Sequence, residues 1–183
     1  MKSTLITGGA RSGKSRLAQE MALKSGGPVI FVATAEAGDE EMKERIERHR
    51  RNRPADWRTL EVTTHLGRHI TQNIGKARTV IIDCITLLVS NVFQENQSIT
   101  DAALLEKAVV AEIEGLIKCI KRSDARFIIV TNEVGLGIVP ADRVSRLYRD
   151  FLGMANRLLA ENADEVIFMA AGIPVNIKND RNV

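Results

Sequence analysis

The feature that most restricts this chain is the run Gly8-Gly9-Ala10-Arg11-Ser12-Gly13-Lys14-Ser15, which fits G-x-x-x-x-G-K-S/T. A short apolar segment, Thr4–Thr7, precedes it, and a helical pattern through Leu17, Ala18, Met21 and Ala22 comes after it. In that setting the run reads as a P-loop. Its glycines let backbone N–H groups turn inward around phosphate oxygens, the helix N-terminus adds positive potential, and Lys14 reaches the β- and γ-phosphates. Ser15 supplies a hydroxyl suited to Mg²⁺.

Further strand candidates are Val29–Ala33, Thr79–Asp83, Arg126–Thr131 and Glu165–Met169. Each is short and nearly continuous in apolar residues, as expected where helices cover both faces of a sheet. Between them lie helical stripes: Leu105, Val109, Ile113, Leu116 and Ile120 within Asp101–Arg122, then Val144, Leu147, Tyr148, Phe151, Leu152, Ala155, Leu158 and Leu159 within Ala141–Asn162. Both stripes predict core, and Pro140 stands just before the second helix begins, a favourable start position. The fold expected is α/β, a P-loop NTPase with a mostly parallel sheet flanked by helices, in one domain over residues 1–183.

Composition excludes several other classes. With 44% hydrophobic and 27% charged residues the chain is that of an ordinary folded protein, and no apolar run approaches the roughly 18 residues needed to span a membrane. No signal-peptide pattern begins at Met1, so a cytoplasmic protein without membrane insertion is expected. A net charge of +3 and only 4% aromatics argue against a nucleic-acid partner. Cys84 and Cys119 match neither a zinc nor a redox spacing and read as buried thiols.

The carboxyl ends of the strands are Gly8, Ala33-Thr34-Ala35, Asp83, Thr131-Asn132-Glu133 and Ala171-Gly172, the edge where an open parallel sheet collects ligands. Asp83 fits either the metal-side acid of a P-loop site or the N-cap of the next segment. Gly135 and Gly137 fit a close approach to ligand or plain turn chemistry. The segment Asp39–Arg53 runs from acidic to basic, with a thin apolar line of Met42 and Ile46 that reaches His49. His49 is either a packed histidine or a nucleophile. Arg45, Arg48, Arg50, Arg51 and Arg53 around it suit a second set of phosphates and favour the neutral imidazole that attacks phosphorus. His65 and His69 have the spacing of a metal pair without an evident third ligand and read as surface residues.

From Leu5 to Lys178 the chain resembles the bifunctional adenosylcobinamide kinase/adenosylcobinamide-phosphate guanylyltransferases of cobalamin biosynthesis. The resemblance is carried by ITGGARSGKS at Ile6–Ser15, ATA at Ala33–Ala35, DEEMKERIERHRRNRPADWRTLE at Asp39–Glu61, DCITLLVSN at Asp83–Asn91, VTNEVGLGIVP at Val130–Pro140 and ADEV at Ala163–Val166. It implies a RecA-like P-loop fold and a homo-oligomer, a trimer in the family pattern. It also implies two reactions. A nucleoside triphosphate, ATP or GTP, phosphorylates the aminopropanol hydroxyl of adenosylcobinamide, and GTP then gives GMP to the adenosylcobinamide phosphate.

By the same resemblance His49 is the guanylylated residue and Lys14 its catalytic companion. Nucleotide contacts fall on Gly8, Gly9, Ala10, Arg11, Ser12, Gly13, Lys14, Ser15, Ala33, Thr34, Ala35, Arg50, Arg51, Asn52, Arg53, Glu61 and Asp83, with Mg²⁺ at Ser15 and Asp83. Asn132, Arg143, Arg146 and Arg149 are candidates for the corrinoid. Three positions depart from the family pattern. Arg48 stands where some relatives have a second histidine, Asp83 where others have Glu, and Leu88 where others have a Trp, the last a change expected to reshape the pocket slightly. The rival readings are a small P-loop metabolite kinase with a structural His49, and a nucleic-acid-stimulated ATPase.

Overall fold

The computed structural model describes residues 2–35, 40, 44, 47, 50, 51, 53–99 and 101–179. The strands are β1 Ser3–Gly8, β2 Val29–Ala33, β3 Arg58–Glu61, β4 Thr79–Asp83, β5 Arg126–Val130, β6 Glu165–Ala170 and β7 Ile173–Asn179. The helices described are α1 Lys14–Ser25, α2 Leu66–Asn73, α3 Ile85–Glu95, α4 Ala102–Arg122 and α5 Arg143–Asn162. One sheet joins the strands in the order β3-β2-β4-β5-β1-β6-β7. Its pairs are parallel except β6 with β7. This is the α/β P-loop arrangement expected from the sequence, and among the described residues no helix is long and apolar enough to cross a membrane.

Side-chain alternation divides the sheet into two buried faces. Leu5, Val80, Ile82, Phe127 and Ile129 face a larger core built from α2, α3, α4 and α5. Ile6, Phe31, Ile81, Ile128 and Val130 face a smaller core closed by Ala18 and Ala22 of α1 and by Trp57. Both faces are covered, so the strands read as apolar runs rather than alternating ones. The short β3 and the exposed β7 lack that signature and gave no strand signal.

The predicted stripe of α4 is buried at every position named. In α5 the burial begins only at Phe151. Leu147, Tyr148 and Leu158 pack partly, and Val144 is 64% exposed, which corrects its reading as core. Helical period fixes the side a residue faces, not how far the core extends beneath it. Pro140 does not start this helix. Asp142 does, its side chain accepting from the Ser145 N–H at 2.8 Å. Leu88, which stands where others have a Trp, is fully buried in the larger core.

Helix α2 shows how a distant residue completes a local element. His65 precedes it at φ +55° with no side-chain cap of its own. The nearly buried Glu112 carboxylate of α4 accepts from the His65 and Leu66 N–H groups, each at 2.8 Å. The helices approach so closely that a Cβ on Gly67 would lie 2.3 Å from the Gly115 carbonyl oxygen. Replacing Glu112 by Ala strands two amide donors beneath α4. It is expected to lower unfolding stability by about 2–4 kcal/mol in urea titrations.

Candidate functional site

The P-loop begins at the end of β1, and its backbone depends on two of its glycines. A Cβ on Gly8 would sit 2.4 Å from the Met169 carbonyl oxygen, so the first glycine lets β6 pair alongside. Gly13 has φ +94°, a left-handed conformation that side chains rarely adopt, and it delivers the chain into α1. The Lys14 side chain lies folded under the loop, only 6% exposed. Its Nζ donates to the Gly9 carbonyl at 2.5 Å and to Ser12 Oγ at 3.4 Å. Gly9, Ala10 and Arg11 form the exposed crest, and Ser15 stands half-buried in the first turn of α1.

Asp83 ends β4. By alternation from Ile81 it falls on the α1 side of the sheet, the side from which Ser15 approaches. Asp83 precedes Cys84, the residue that actually stands at the N-cap of α3, so the capping reading fails for Asp83. A serine hydroxyl and a carboxylate are the hard oxygen donors that suit Mg²⁺, which usually takes one or two protein oxygens and completes its shell with water and phosphate.

The Ala33-Thr34-Ala35 segment has a partly different duty. Thr34 is fully buried, its Oγ1 donating to the Cys84 carbonyl at 2.7 Å and accepting from the Cys84 N–H at 2.8 Å. Asn91 Nδ2 holds the Thr34 carbonyl at 2.9 Å and that of Thr63 at 3.0 Å. The Thr34 hydroxyl therefore ties β2 to the end of β4. Burial, and then the neighbouring charge of Asp83, push the Cys84 thiol up to about 11. At pH 8 it is held almost wholly as the thiol, the form that does not attack alkylating reagents. Cys84 is expected to resist alkylation in the folded protein and to label at once in denaturant, read by mass.

Arg50 and Arg51 are helical and exposed. Arg50 pairs with Glu61 at the end of β3 at 3.5 Å, and Arg51 pairs with Glu47 at 3.3 Å on its own helical face. Arg53 turns inward. Its guanidinium stacks 3.7 Å above the Phe31 ring and donates to Thr59 Oγ1 at 3.3 Å. Burial lowers its pKa, while Asp83 and Glu61 support its charge. Glu61, Arg50, Arg53 and Asp83 thus belong to one edge. His49, Asn52, Arg48 and Arg45 lie outside the described residues.

Sequence reading overlooked a polar seam behind this edge. Thr131 Oγ1 donates to Asn156 Oδ1 at 2.7 Å, Asn156 Nδ2 to the Asn132 carbonyl at 3.0 Å, and the Asn132 N–H to Thr86 Oγ1 at 2.8 Å. Tyr148 Oη donates to the Thr86 carbonyl at 2.9 Å. These residues come from α3, the segment just after β5 and α5, and nothing in their spacing links them. Of the corrinoid candidates, Arg146 donates to the Pro140 and Ala141 carbonyls at 3.0 and 2.6 Å, and Arg149 contacts Asp150 at 3.4 Å. Arg143 is exposed. His65 is also exposed, its Nδ1 3.6 Å from Glu112, whereas His69 is only partly exposed. Among the described residues no group of three or more His, Cys, Asp or Glu gathers around a metal position.

The family described as cobinamide kinase / cobinamide phosphate guanyltransferase (CobU) matches residues 4–177. The bifunctional adenosylcobalamin biosynthesis protein CobU of Escherichia coli strain K12 is 41% identical over 179 residues, 95% of this chain and 98% of that protein. The protein of that name from Salmonella typhimurium strain LT2 is 43% identical over the same shares. A solved protein of Pyrococcus horikoshii OT3, Project ID PH0250, shares the fold with a TM-score of 0.56 at 9% identity, over 97% of this chain and 86% of that one.

Proposed function

The chain belongs to the cobinamide kinase / cobinamide phosphate guanyltransferase family, and from that premise we propose that it phosphorylates the aminopropanol hydroxyl of adenosylcobinamide and then transfers GMP from GTP to adenosylcobinamide phosphate. The product is adenosylcobinamide-GDP, with pyrophosphate released. The observation that carries this reading is the meeting of the P-loop, Asp83 and the Arg50–Glu61 pair along one sheet edge. A phosphate-holding loop and a second basic segment are what a triphosphate bound at both ends requires.

In this mechanism the loop amides and Lys14 hold the β- and γ-phosphates in both reactions. The Lys14 ammonium turns from the Gly9 carbonyl to phosphate oxygen, exchanging one hydrogen-bond partner for a charged one. In guanylyl transfer the His49 imidazole attacks the α-phosphorus, pyrophosphate leaves, and the substrate phosphate then takes the GMP from histidine. Arg50, Arg51, Asn52 and Arg53 balance the charge that develops, and Glu61 with the Ala33–Ala35 backbone orients the nucleotide. Ser15 and Asp83 are the residues that would hold Mg²⁺, which when bound neutralises phosphate charge.

We read residues 1–183 as one cytoplasmic domain. Exposed Leu136, Ile138, Val139, Val144, Ile173, Val175 and Ile177 support assembly into a homo-oligomer. No nucleic-acid partner enters this scheme. The test is the intact mass of the protein after incubation with GTP and Mg²⁺, with ATP in parallel. A GMP-sized, acid-labile adduct formed from GTP is expected. If phosphoryl transfer to adenosylcobinamide occurs and neither an adduct nor pyrophosphate appears, the protein is a P-loop kinase without nucleotidyl transfer.

A further inference from the structure

β5 lies between β1, whose end carries the P-loop, and β4, whose end carries Asp83. The chain leaving β5 therefore emerges between the two halves of a phosphate site. It is held there along its backbone. The Thr131 N–H donates to the Ile6 carbonyl at 3.0 Å and the Glu133 N–H to the Gly8 carbonyl at 3.1 Å. Between them Asn132 is fixed by Thr86 and Asn156. Glu133 is thereby pinned against the first glycine of the loop.

Its side chain is fixed as well. Glu133 Oε1 accepts from the Gly135 N–H at 2.5 Å, and a Cβ on residue 135 would come within 2.9 Å of that oxygen. Among the described residues the carboxylate makes no other hydrogen bond or ion pair. The other acids of this edge are engaged differently, Glu61 with Arg50 and Asp83 on the side of Ser15 and Arg53. Phosphoryl transfer to an alcohol needs a group that takes the hydroxyl proton, and guanylyl transfer through a histidine has no such proton to remove.

We propose that Glu133 is the general base of the kinase step, a role that rests on the functional reading above. The substrate hydroxyl oxygen forms a bond to the γ-phosphorus as the bond from that phosphorus to the β–γ bridging oxygen breaks. The nucleoside diphosphate leaves with that electron pair, and the hydroxyl proton passes to the Glu133 carboxylate and on to water. Gly135 serves the same end by orienting the carboxylate from its N–H.

The experiment compares wild type, E133Q and E133D in two assays. One is phosphorylation of adenosylcobinamide by ATP or GTP with Mg²⁺. The other is GMP transfer from GTP to supplied adenosylcobinamide phosphate. E133Q is expected to lose roughly 10²–10⁴-fold in kcat for phosphorylation, and E133D to recover part of it with its acidic pH limb. GMP transfer by E133Q stays within about twofold of wild type, which shows that the fold and the P-loop are intact. Near-wild-type phosphorylation by E133Q, or an equal loss in both assays, overturns the role of Glu133 alone. A wild-type protein that phosphorylates no adenosylcobinamide overturns the functional reading and this role with it.

Discussion

Replacing His49 by alanine is expected to abolish GMP transfer while leaving the kinase step within a few-fold of wild type. In the proposed mechanism the imidazole is the group to which GMP is attached between donor and acceptor. Without it the acceptor phosphate would have to displace pyrophosphate directly, from a position arranged for histidine. Loss of a covalent nucleophile usually costs roughly 10³-fold or more. A neighbouring histidine cannot take over, because the adjacent position is Arg48. Radiolabelled GTP tracks the protein adduct, the formation of adenosylcobinamide-GDP and the kinase reaction in one set of samples. An H49A protein that forms the product at the wild-type rate would sink the mechanism.

Replacing Lys14 by methionine is expected to reduce both reactions together, by roughly 10²–10³-fold each, because in the proposed mechanism both draw on a triphosphate held by the same loop. Lys14 is 6% exposed and donates to a loop carbonyl, so the substitution removes a buried charge together with its partner bond. Methionine matches the length of the lysine chain but leaves the Gly9 carbonyl without that donor, so stability of the free protein shifts for reasons separate from nucleotide binding. The informative measurement is therefore thermal stabilisation by GTP. Wild type should gain about 2.7 kcal/mol at a hundred times Kd, and K14M should gain little at the same concentration. The two variants then separate cleanly: H49A binds GTP and phosphorylates, and K14M does neither well. A K14M protein with both activities intact would remove the P-loop from the mechanism.

Much of the framework was legible because its signals are local. The P-loop is eight consecutive residues, and the five apolar segments read as strands reappear as β1, β2, β4, β5 and β6. The end of β4 at Asp83 was legible in the same run. The strands that escaped notice are those the core does not cover. β3 has four residues with none buried, and β7 is exposed or half-exposed throughout, so neither has the pattern that burial imposes. In the candidate site the sequence pointed to residues but not to their contacts. The Arg50–Arg53 segment looked like one basic cluster, yet its arginines divide among Glu61, Glu47 and the Phe31 ring.

By itself the sequence determined the alternation of strands and helices, the phosphate loop and the family, since each depends on residues adjacent in the chain or repeated at a fixed period. Tertiary structure decided what those patterns cannot encode. It spent the Thr34 hydroxyl on Cys84, capped α2 with a carboxylate 46 residues beyond Leu66, and set Glu133 against Gly8. Such pairings are fixed only when the sheet closes and buried polar groups must find partners. Periodicity reports which face of an element is apolar, and it carries no information on which distant donor will meet which acceptor.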